Sequence, residues 1–258
     1  MQLRPLYDSK PTKKLNTTII YEPRGRAKEY SELAANLYRG CGHCCEYCYA
    51  PAAIHMDRVN FYAPSIRDNV LEKLEKDAQF LGRNNEKRTI LLSFTTDPYQ
   101  PLDEKTELTR KAIQILHRNN LKVSILTKGG VRSIRDFDLL ANRPDLSEYG
   151  VTLVFSNEIF RQRIEPFAAA TNERIEALEK AHEMGIFTYV SLEPVWFTED
   201  TLRLIDLTHD IVDFYKVGKL NHHPQANNIN WKRFKEDVTA KLDSYDKDYY
   251  IKQDLQLY

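Results

Sequence analysis

Cysteine is scarce in this sequence and is confined to one place, because all four cysteines lie between positions 41 and 48. A disulfide framework scatters cysteines along the chain to join distant segments, so the grouping argues against it and favours metal binding in a reducing compartment. The sequence also lacks an apolar run approaching the roughly 18 residues of a membrane span. No apolar segment follows the basic N-terminus as it does in a signal peptide. We therefore expect a cytoplasmic protein without a membrane partner.

An excess of either charge is missing as well. Lys and Arg together number 37, Asp and Glu together number 37, and the formal net charge is zero. A protein held on nucleic acid mainly by bulk electrostatics carries an excess of positive charge, so the balance argues against that class. A local basic patch remains open.

Segments of strand character alternate with segments of helical periodicity after about residue 33. The predicted strands are 34–39, 89–94, 122–127, 151–155, 186–192, 211–217 and 249–251. The predicted helices are 65–81, 108–118, 133–140, 172–184, 198–208 and 229–242. This alternation is typical of right-handed βαβ units around a parallel sheet. We predict an α/β fold, specifically a partial (β/α)6 barrel of TIM type, with a doubly wound sheet as the alternative that periodicity leaves open.

Two regions are expected along the chain. Residues 1–30 are polar and weakly periodic, and we predict an extended N-terminal arm with a short strand at 17–21. Residues 31–258 contain no linker or low-complexity tract, so we predict one barrel domain there. In a barrel, chemistry is located at the carboxyl ends of the strands. Prominent polar residues follow the predicted strands at 93–97, 128, 156–157, 193 and 216–223.

The cysteine loop comes directly after the first predicted strand and reads RGCGHCCEYCYAP. Cys41, Cys45 and Cys48 have the spacing C-x3-C-x2-C, and a short loop with glycines can wrap one corner of a [4Fe–4S] cube. Cys44 is adjacent to Cys45, so both side chains can hardly point inward in one backbone conformation. Three thiolates leave one iron without a protein ligand, which creates an open site for a cofactor or substrate.

Two other metal sites use the same atoms. A zinc site would pair Cys41 with Cys44 and Cys45 with Cys48, but zinc fingers usually separate their pairs by a dozen or more residues, whereas these pairs abut. An electron-transfer ferredoxin would need a fourth cysteine elsewhere in the chain, and there is none. The open-sited cluster is therefore the favoured interpretation.

The cysteine loop resembles the signature of the radical S-adenosylmethionine (SAM) superfamily. Longer segments resemble the spore photoproduct lyase-like group, often called DNA repair photolyases, at 36–51, 93–110, 126–140 and 163–186. The resemblance implies a [4Fe–4S] cluster on Cys41, Cys45 and Cys48, with SAM bound to the unique iron through its amino and carboxylate groups. It implies reductive cleavage of SAM to a 5′-deoxyadenosyl radical that abstracts hydrogen from a substrate, with an external electron donor of flavodoxin or ferredoxin type.

The resemblance also implies contacts to SAM. Tyr47, just before the last cysteine, is expected to pack beside the adenine. Ser93, Thr95 and Asp97 follow the second strand, where the family contacts the SAM amino group, although the common superfamily sequence there is Gly-Gly-Glu. A polar turn closed by Pro98 is the alternative for this segment.

Later strand ends supply further candidates. Lys128 could pair with the SAM carboxylate, and Ser156 and Asn157 could bind the ribose hydroxyls, since their side chains donate and accept. Glu193 could reach the ribose or the substrate. The alternatives are a solvated lysine, a helix N-cap at 156–157 and an ion pair between Glu193 and an arginine.

Catalytic candidates come from the last strand and from a tyrosine. Strand alternation places Lys216 and Lys219 on opposite faces, so one of them is expected to point into the barrel mouth. His222 and His223 follow and could serve phosphate binding or proton transfer. Tyr99 is a candidate hydrogen donor. A simple polar loop is the alternative for the late cluster.

One residue of the resembling group is missing here. Spore photoproduct lyases carry a cysteine after the second strand that returns a hydrogen atom to the product radical, and LLSFTTDPYQP contains none. Cys44 is the spare thiol but lies inside the cluster loop. A tyrosine would then have to donate the hydrogen, either Tyr99 or one of Tyr47, Tyr49 and Tyr62.

The sequence leaves the substrate open. A nucleobase, such as thymine in DNA, is the first candidate, and reaching it in a duplex would require base flipping. A small molecule or peptide is the rival within the enzyme class. A non-catalytic Fe–S redox or binding protein is the alternative from another class.

Overall fold

A computed structural model describes residues 15–258. Its strands are β1 Ile20–Tyr21, β2 Leu33–Ala35, β3 Tyr38–Arg39, β4 Ser65–Ile66, β5 Ile90–Leu92, β6 Val123–Thr127, β7 Ser147–Thr152, β8 Phe187–Leu192, β9 Phe214–Val217 and β10 Asp248–Ile251. Its α-helices are α1 Ala50–Ala53, α2 Arg58–Phe61, α3 Val70–Arg83, α4 Asp103–Thr106, α5 Leu108–Arg118, α6 Phe137–Asn142, α7 Glu158–Ile164, α8 Thr171–Glu183, α9 Thr198–Thr208, α10 Trp231–Ser244 and α11 Gln253–Gln256. Short 3₁₀ turns are Gly25–Glu29, Gly130–Asp136, Pro144–Leu146, His209–Ile211 and Pro224–Asn228.

The main sheet has the strand order β1-β2-β5-β6-β7-β8-β9-β10. All neighbours from β2 to β10 are parallel, and β1 adds to β2 in the antiparallel sense. Among the described residues β1 and β10 do not pair with each other, so the barrel is left open between them. The predicted partial barrel is confirmed, and the late strand at 249–251 joins it through β9.

The core forms because each helix buries one apolar stripe against the sheet. On α5 the buried stripe includes Ala112, Ile113 and Leu116, which are fully enclosed. A large aliphatic side chain buried in this way contributes roughly 1.5–3 kcal/mol. Strands such as β8 also bury their outward side chains under helices, as expected for a parallel sheet covered on its outer face. No helix among residues 15–258 combines the length and apolarity needed to cross a membrane.

Several element boundaries differ from the sequence prediction. The predicted first strand at 34–39 is two elements, because β2 ends at Ala35 and β3 pairs with β4 in a separate two-stranded ribbon. Asn36 interrupts the strand because its side chain accepts hydrogen bonds from the backbone N–H of Phe94 and Thr95, at 2.9 and 2.8 Å. The predicted helix 65–81 also begins later than expected. Ser65 lies in β4, and α3 begins at Val70.

Other corrections are smaller in extent. The predicted strand 151–155 is β7, which begins and ends earlier, and α7 was not predicted because it is short. The predicted helix 133–140 is a 3₁₀ turn followed by α6. Of the predicted strand 17–21 only Ile20–Tyr21 forms, as β1. Positions 1–14 of the predicted arm lie outside the described residues.

The described part of the arm lies against the C-terminal elements. Glu29 Oε1 accepts hydrogen bonds from Tyr250 Oη at 2.9 Å and from the Gln253 N–H at 2.7 Å. Arg26 pairs with Asp254 at 3.2 Å. These contacts join the two ends of the chain beside the open edge of the barrel, and they position Tyr30 at that edge.

Candidate active site at the cysteine loop

The cysteine loop follows β3 and turns sharply at Gly40, whose φ is +84°. All four cysteines are free thiols, and Cys45 is buried. Cys44 has a φ of +55°, and its sulfur lies 3.5 Å from the Gly42 carbonyl of its own loop. The positive φ places consecutive cysteine side chains in different directions, as expected from their adjacency.

The loop has the chemistry that an iron–sulfur cluster requires. Burial raises the pKa of Cys41, which Asp97 raises further, and burial raises the pKa of Cys45 to about 12. The backbone N–H of His43 lowers the pKa of Cys41, and the backbone N–H of Ala50 lowers the pKa of Cys48. Amide donors therefore face these two sulfurs. Bare thiolates would be poorly solvated here, and a bound cation displaces the thiol protons.

The donors in the loop are cysteine thiols, which are the usual ligands of an iron–sulfur cluster. Among residues 15–258, no three His, Cys, Asp or Glu side chains converge to hold one metal ion. A cubane needs thiolates that reach different irons, so its ligands do not converge on one point. Cys41, Cys45 and Cys48 are the residues that would hold it.

His43 fixes the part of the loop between the first two ligands. It is 2% exposed, with Nδ1 3.5 Å from Asp97 Oδ2 and Nε2 3.2 Å from Arg132 Nη2. Burial lowers the pKa of His43 to about 4 against the opposing charge of Asp97. The imidazole is therefore neutral near pH 7, accepting from Arg132 on Nε2 and presenting its Nδ1 proton to Asp97.

Asp97 joins three loops. Besides facing His43, its carboxylate accepts from Tyr99 N–H at 2.8 Å, Thr127 Oγ1 at 2.6 Å and Lys128 N–H at 2.7 Å. Both oxygens are thus used to connect the segments after β5 and β6 to the cysteine loop. This arrangement argues against Asp97 as a direct contact of the SAM amino group and gives it a positioning role.

Ser93 and Thr95 differ in what they leave open. Ser93 Oγ, at the end of β5, is buried and has no hydrogen-bond partner among the described residues. Thr95 is fixed through its backbone N–H by Asn36. A buried unpaired hydroxyl is costly unless a ligand satisfies it. Ser93 is therefore the better fit to the predicted amino-group contact.

Tyr47 is anchored by a buried ion pair. Its hydroxyl donates to Glu165 Oε1, and Glu165 pairs with Arg174 at 2.5 Å, with exposed side-chain fractions of 0% and 1%. Burial raises the pKa of Glu165, but Arg174 and Lys128 outweigh it and lower the pKa, so the carboxylate stays charged. Arg174 also donates to the Thr152 carbonyl at 2.9 Å, which ties the pair to the end of β7.

Lys128 is the cation beside this pair. Its Nζ lies 5.6 Å from the centre of the Tyr47 ring, and within residues 15–258 it makes no hydrogen bond or ion pair. Burial acts to lower the pKa of Lys128, but Cys45 and Glu165 outweigh it and raise the pKa. A charged, half-buried ammonium with no hydrogen-bonded partner is suited to an anionic ligand, as predicted for the SAM carboxylate.

The predicted ribose contacts have partners of their own. Ser156 donates to Asp200, and Asn157 is exposed and caps α7 by accepting from Ile159 N–H at 2.9 Å. For Asn157 the structure shows the helix-cap alternative.

Glu193 forms the centre of a second cluster. It accepts from Tyr30 Oη and pairs with Lys252 Nζ at 2.5 Å, so its ion pair is with a lysine of the C-terminal segment and not with an arginine. Gly218 permits this approach, since a Cβ there would lie 2.6 Å from Glu193 Oε1. Lys252 Nζ also lies 3.7 Å from the centre of the Tyr30 ring.

The three catalytic candidates separate in space. Lys216 is buried and donates to the Tyr30 carbonyl at 2.9 Å, with its Nζ 5.0 Å from the centre of the Tyr189 ring inside the barrel. Lys219 instead donates to Tyr258 Oη at 2.8 Å on the C-terminal side. Only one lysine therefore points inward, as alternation predicted, and Lys219 is not brought to the site.

Tyr99 is also outside the mouth. It is 1% exposed, its ring lies 5.7 Å from the Arg135 guanidinium, and burial followed by Asp136 raises its pKa. The backbone of Tyr99 supports the site, but its hydroxyl is closed to a substrate. This correction follows from Pro98 and the Asp97 turn, which direct the side chain into the layer between the sheet and α6.

Two groups of aromatic rings include the sequence neighbours of Cys48, Tyr49 in one group and Tyr47 in the other. In the first group Phe94 lies 5.9 Å from Tyr30 and 6.2 Å from Tyr49, measured between ring centres. In the second, Trp196 lies 6.2 Å from Tyr47 and 4.5 Å from the His223 ring. Phe94 and Trp196 each follow the carboxyl end of a strand. We call these two groups, Tyr30–Phe94–Tyr49 and Tyr47–Trp196–His223, the aromatic walls.

Sequence reasoning missed several residues that build this site, among them Asn36, His43, Glu165, Arg174 and Lys252. Glu165 and Arg174 lie within a segment already noted for its resemblance, and an acidic residue before proline followed by an arginine nine positions later was the available signal. Lys252 gave no signal, because it comes from the far end of the chain.

Comparison with known proteins identifies the family. The model of the Radical SAM superfamily matches residues 35–210. An uncharacterized protein of Methanocaldococcus jannaschii is 29% identical over 189 residues, which are 72% of this chain and 69% of that protein. An uncharacterized protein of Acidianus two-tailed virus is 29% identical over 190 residues, covering 68% of this chain and 60% of that protein.

Solved structures share the fold. A spore photoproduct lyase variant aligns with a TM-score of 0.71 and 13% identity over 90% of this chain and 79% of its own. Spore photoproduct lyase complexed with dinucleoside spore photoproduct gives a TM-score of 0.70 and 14% identity with the same coverage. Streptococcus suis SuiB bound to S-adenosylmethionine gives 0.61 and 12% identity over 84% of this chain and 45% of its own.

The chain belongs to the radical SAM superfamily. Its structural likeness is to the spore photoproduct lyase-like group. The predicted cofactors, a [4Fe–4S] cluster and SAM, are those of the superfamily. It is therefore an enzyme of SAM-dependent radical chemistry, and enzymes of this kind require an electron donor.

Proposed function

We propose that this enzyme abstracts a hydrogen atom from a nucleobase presented to the barrel mouth. The observation that carries the proposal is the pair of aromatic walls built on Tyr47 and Tyr49, the residues before and after Cys48 in the chain. Aromatic side chains stack on planar bases, and each stacked base contributes about 1–3 kcal/mol. Three structures of spore photoproduct lyase with dinucleoside spore photoproduct support the same substrate class.

The cofactor contacts are assigned as follows. Cys41, Cys45 and Cys48 would hold the cluster, Ser93 Oγ would accept a hydrogen bond from the SAM amino group, and Lys128 would pair with the SAM carboxylate. Tyr47 borders the adenine and is held by Glu165. When bound, the cluster and SAM supply a 5′-deoxyadenosyl radical, and an external donor of flavodoxin or ferredoxin type supplies the electron.

Tyr49 is the proposed hydrogen donor on the substrate side. It follows Cys48 directly, half of its surface is exposed, and its ring packs on Phe94 in the mouth. The other tyrosines are engaged elsewhere, since Tyr47 donates to Glu165 and Tyr62 donates to the Cys45 carbonyl. Glu193 and Lys216 both bond to Tyr30 at the open edge of the barrel, and we call this side of the mouth the seam side. There they would contact the substrate.

A peptide substrate is the second candidate. SuiB bound to its precursor peptide shares the fold with a TM-score of 0.64 over 84% of this chain, at 12% identity. The balanced formal charge, with 37 residues of each sign, also makes tight duplex binding less expected.

The test is anaerobic reconstitution followed by dithionite and SAM, with release of 5′-deoxyadenosine and methionine measured. Absence of SAM cleavage by a fully loaded cluster would make this a non-catalytic Fe–S protein. Deuterated thymidine oligonucleotides, with and without ultraviolet damage, and a deuterated peptide pool then compete for label transfer into 5′-deoxyadenosine. Label from the peptide alone would overturn the nucleobase proposal.

A matched pair of variants tests the hydrogen donor. Tyr49→Phe should keep SAM cleavage and label transfer while product yield falls at least several-fold. Tyr99→Phe should leave product yield unchanged, because its hydroxyl is enclosed. Equal product yields from both variants would rule out Tyr49.

A further inference from the structure

The short segment formed by α2 and Tyr62 contacts the backbone of each of the three cluster cysteines. The Phe61 carbonyl accepts from Cys41 N–H at 2.8 Å. Tyr62 Oη donates to the Cys45 carbonyl at 3.1 Å, and Arg58 Nη2 donates to the Cys48 carbonyl at 3.1 Å. We propose that this segment is a clamp that holds the three thiols in register for the cluster, with Arg58 as a positioning residue. The inference rests on the cluster assignment of the proposed function.

The clamp is fixed from the inner side. Phe61 is 1% exposed and anchors α2 in the core, and Asp57 caps the helix by accepting from Asn60 N–H at 3.0 Å. Gly40 allows the close approach of α2, since a Cβ there would lie 2.4 Å from the Phe61 carbonyl oxygen. The segment is therefore held to the loop by its hydrogen bonds and held in place by the burial of its Phe61 ring.

The outer side of the clamp is a hydrogen bond between the exposed Arg58 side chain and the half-buried Tyr62 side chain. Arg58 Nη1 donates to Tyr62 Oη at 2.7 Å, and the two residues are four apart on one helical face. Neighbouring side chains of the segment face solvent, such as Val59 at 81% exposure. Ordering a long arginine in such surroundings costs conformational entropy, and its charge-assisted bonds to the loop offset that cost.

Arg58 has an electrostatic consequence too. The Arg58 guanidinium bonds to the Cys48 carbonyl, so it would lie near a cluster held by Cys48. Such a cluster gains a negative charge on reduction. Charge and hydrogen bonding around a cluster set its reduction potential, so Arg58 should make reduction easier. Because Arg58 is exposed, salt should weaken this effect.

The experiment compares Arg58→Gln, Arg58→Lys and Tyr62→Phe with Arg67→Gln. Arg67 is an exposed arginine that follows β4, outside the clamp, and its side chain makes no hydrogen bond to the cysteine loop. Each protein is reconstituted, and two quantities are measured: the rate of iron release to a chelator and the midpoint potential by electron paramagnetic resonance. Neither depends on turnover.

We expect Arg58→Gln and Tyr62→Phe to release iron several-fold faster than the wild-type protein and Arg67→Gln. Arg58→Gln should also shift the midpoint potential to more negative values, whereas Arg58→Lys should largely restore the potential but not the release rate. Release rates equal to that of Arg67→Gln for both Arg58→Gln and Tyr62→Phe would overturn the clamp. A wild-type chain that takes up no cluster would instead refute the proposed function.

Discussion

The two sides of the barrel mouth are built in different ways. On the cofactor side, the Glu165–Arg174 pair is fully enclosed and holds Tyr47 beside the cysteine loop. On the seam side, the Glu193–Lys252 pair is 17% and 6% exposed and is joined by Tyr30 from the arm. Contacts among neighbouring βα units fix the first, whereas the second depends on the two ends of the chain meeting.

This difference suits two tasks. A cofactor that never varies benefits from a rigid, preorganised wall, because geometric tolerance around a reactive centre is small. A wall made from terminal segments can differ among relatives without disturbing the cluster. We therefore expect substrate specificity to depend on the seam side and the radical chemistry to depend on the cofactor side.

The largest effect that would test this comparison is on the cluster itself. Cys41→Ala, Cys45→Ala and Cys48→Ala should each abolish cluster assembly, because each removes one of three iron ligands. Iron and sulfide content with visible absorbance measures it, and Cys44→Ala is the matched control that keeps the cluster. Loss of iron in Cys44→Ala would reassign the ligands.

The next effect separates the two buried pairs. Arg174→Met should leave Glu165 charged and enclosed, and it should cost roughly 3–5 kcal/mol of unfolding free energy. Lys252→Met leaves Glu193 partly solvated and bonded to Tyr30, so a smaller loss of about 1–3 kcal/mol is expected. Denaturant unfolding of the cluster-free proteins measures both. Equal losses of unfolding free energy would contradict the contrast between the cofactor side and the seam side.

Lys216 gives the seam side its own pH dependence. Burial lowers its pKa from 10.5 to about 8, with Glu148 opposing and Lys252 adding to the shift. Between these values the unfolded chain binds more protons, so stability rises with pH from about 8 to 10.5. The slope integrates to at most about 3 kcal/mol.

Unfolding of the wild-type protein and of Lys216→Met across this range measures that contribution. The variant should show a flatter profile, and Lys219→Met, whose site is outside the barrel, should keep the wild-type slope. A Lys216→Met profile that stays parallel to the wild-type profile would remove Lys216 from this role.

The smallest expected effect is at Gly218. In Gly218→Ala the new methyl group would meet Glu193 Oε1 at 2.6 Å and Lys252 Cδ at 2.9 Å, so the pair must shift. The contacts are the ends of two flexible side chains, so the cost should be at the lower end of overpacking, about 1 kcal/mol. Thermal unfolding should detect it, while cluster content stays at the wild-type level. Gly185→Ala is a poor match because of its positive φ, so the wild-type protein is the reference.

The cysteine spacing, the strand–helix alternation and the segments of family likeness were sufficient to predict the partial barrel and both cofactors. These features are local, since a loop that wraps a cluster and an amphipathic element are both encoded by neighbouring residues. Lys128 was predicted from its place after a strand and Ser93 from the family resemblance at a strand end, and both stay predictions. Alternation predicted that at least one of Lys216 and Lys219 points inward, and the structure shows that Lys216 is the buried one.

The tertiary structure decided which polar residues serve each other. Asp97 bonds to groups on three loops, and the Tyr99 side chain is buried. Lys219 bonds to Tyr258 outside the barrel, and Asn157 caps α7. Sequence spacing could reveal none of these contacts. Glu165 with Arg174 and Glu193 with Lys252 meet only when separate units pack. The physical reason is that an unpaired charge is costly to bury, and its partner can come from any part of the chain that folding brings close. Sequence determined the reactive centre, and packing determined what surrounds it.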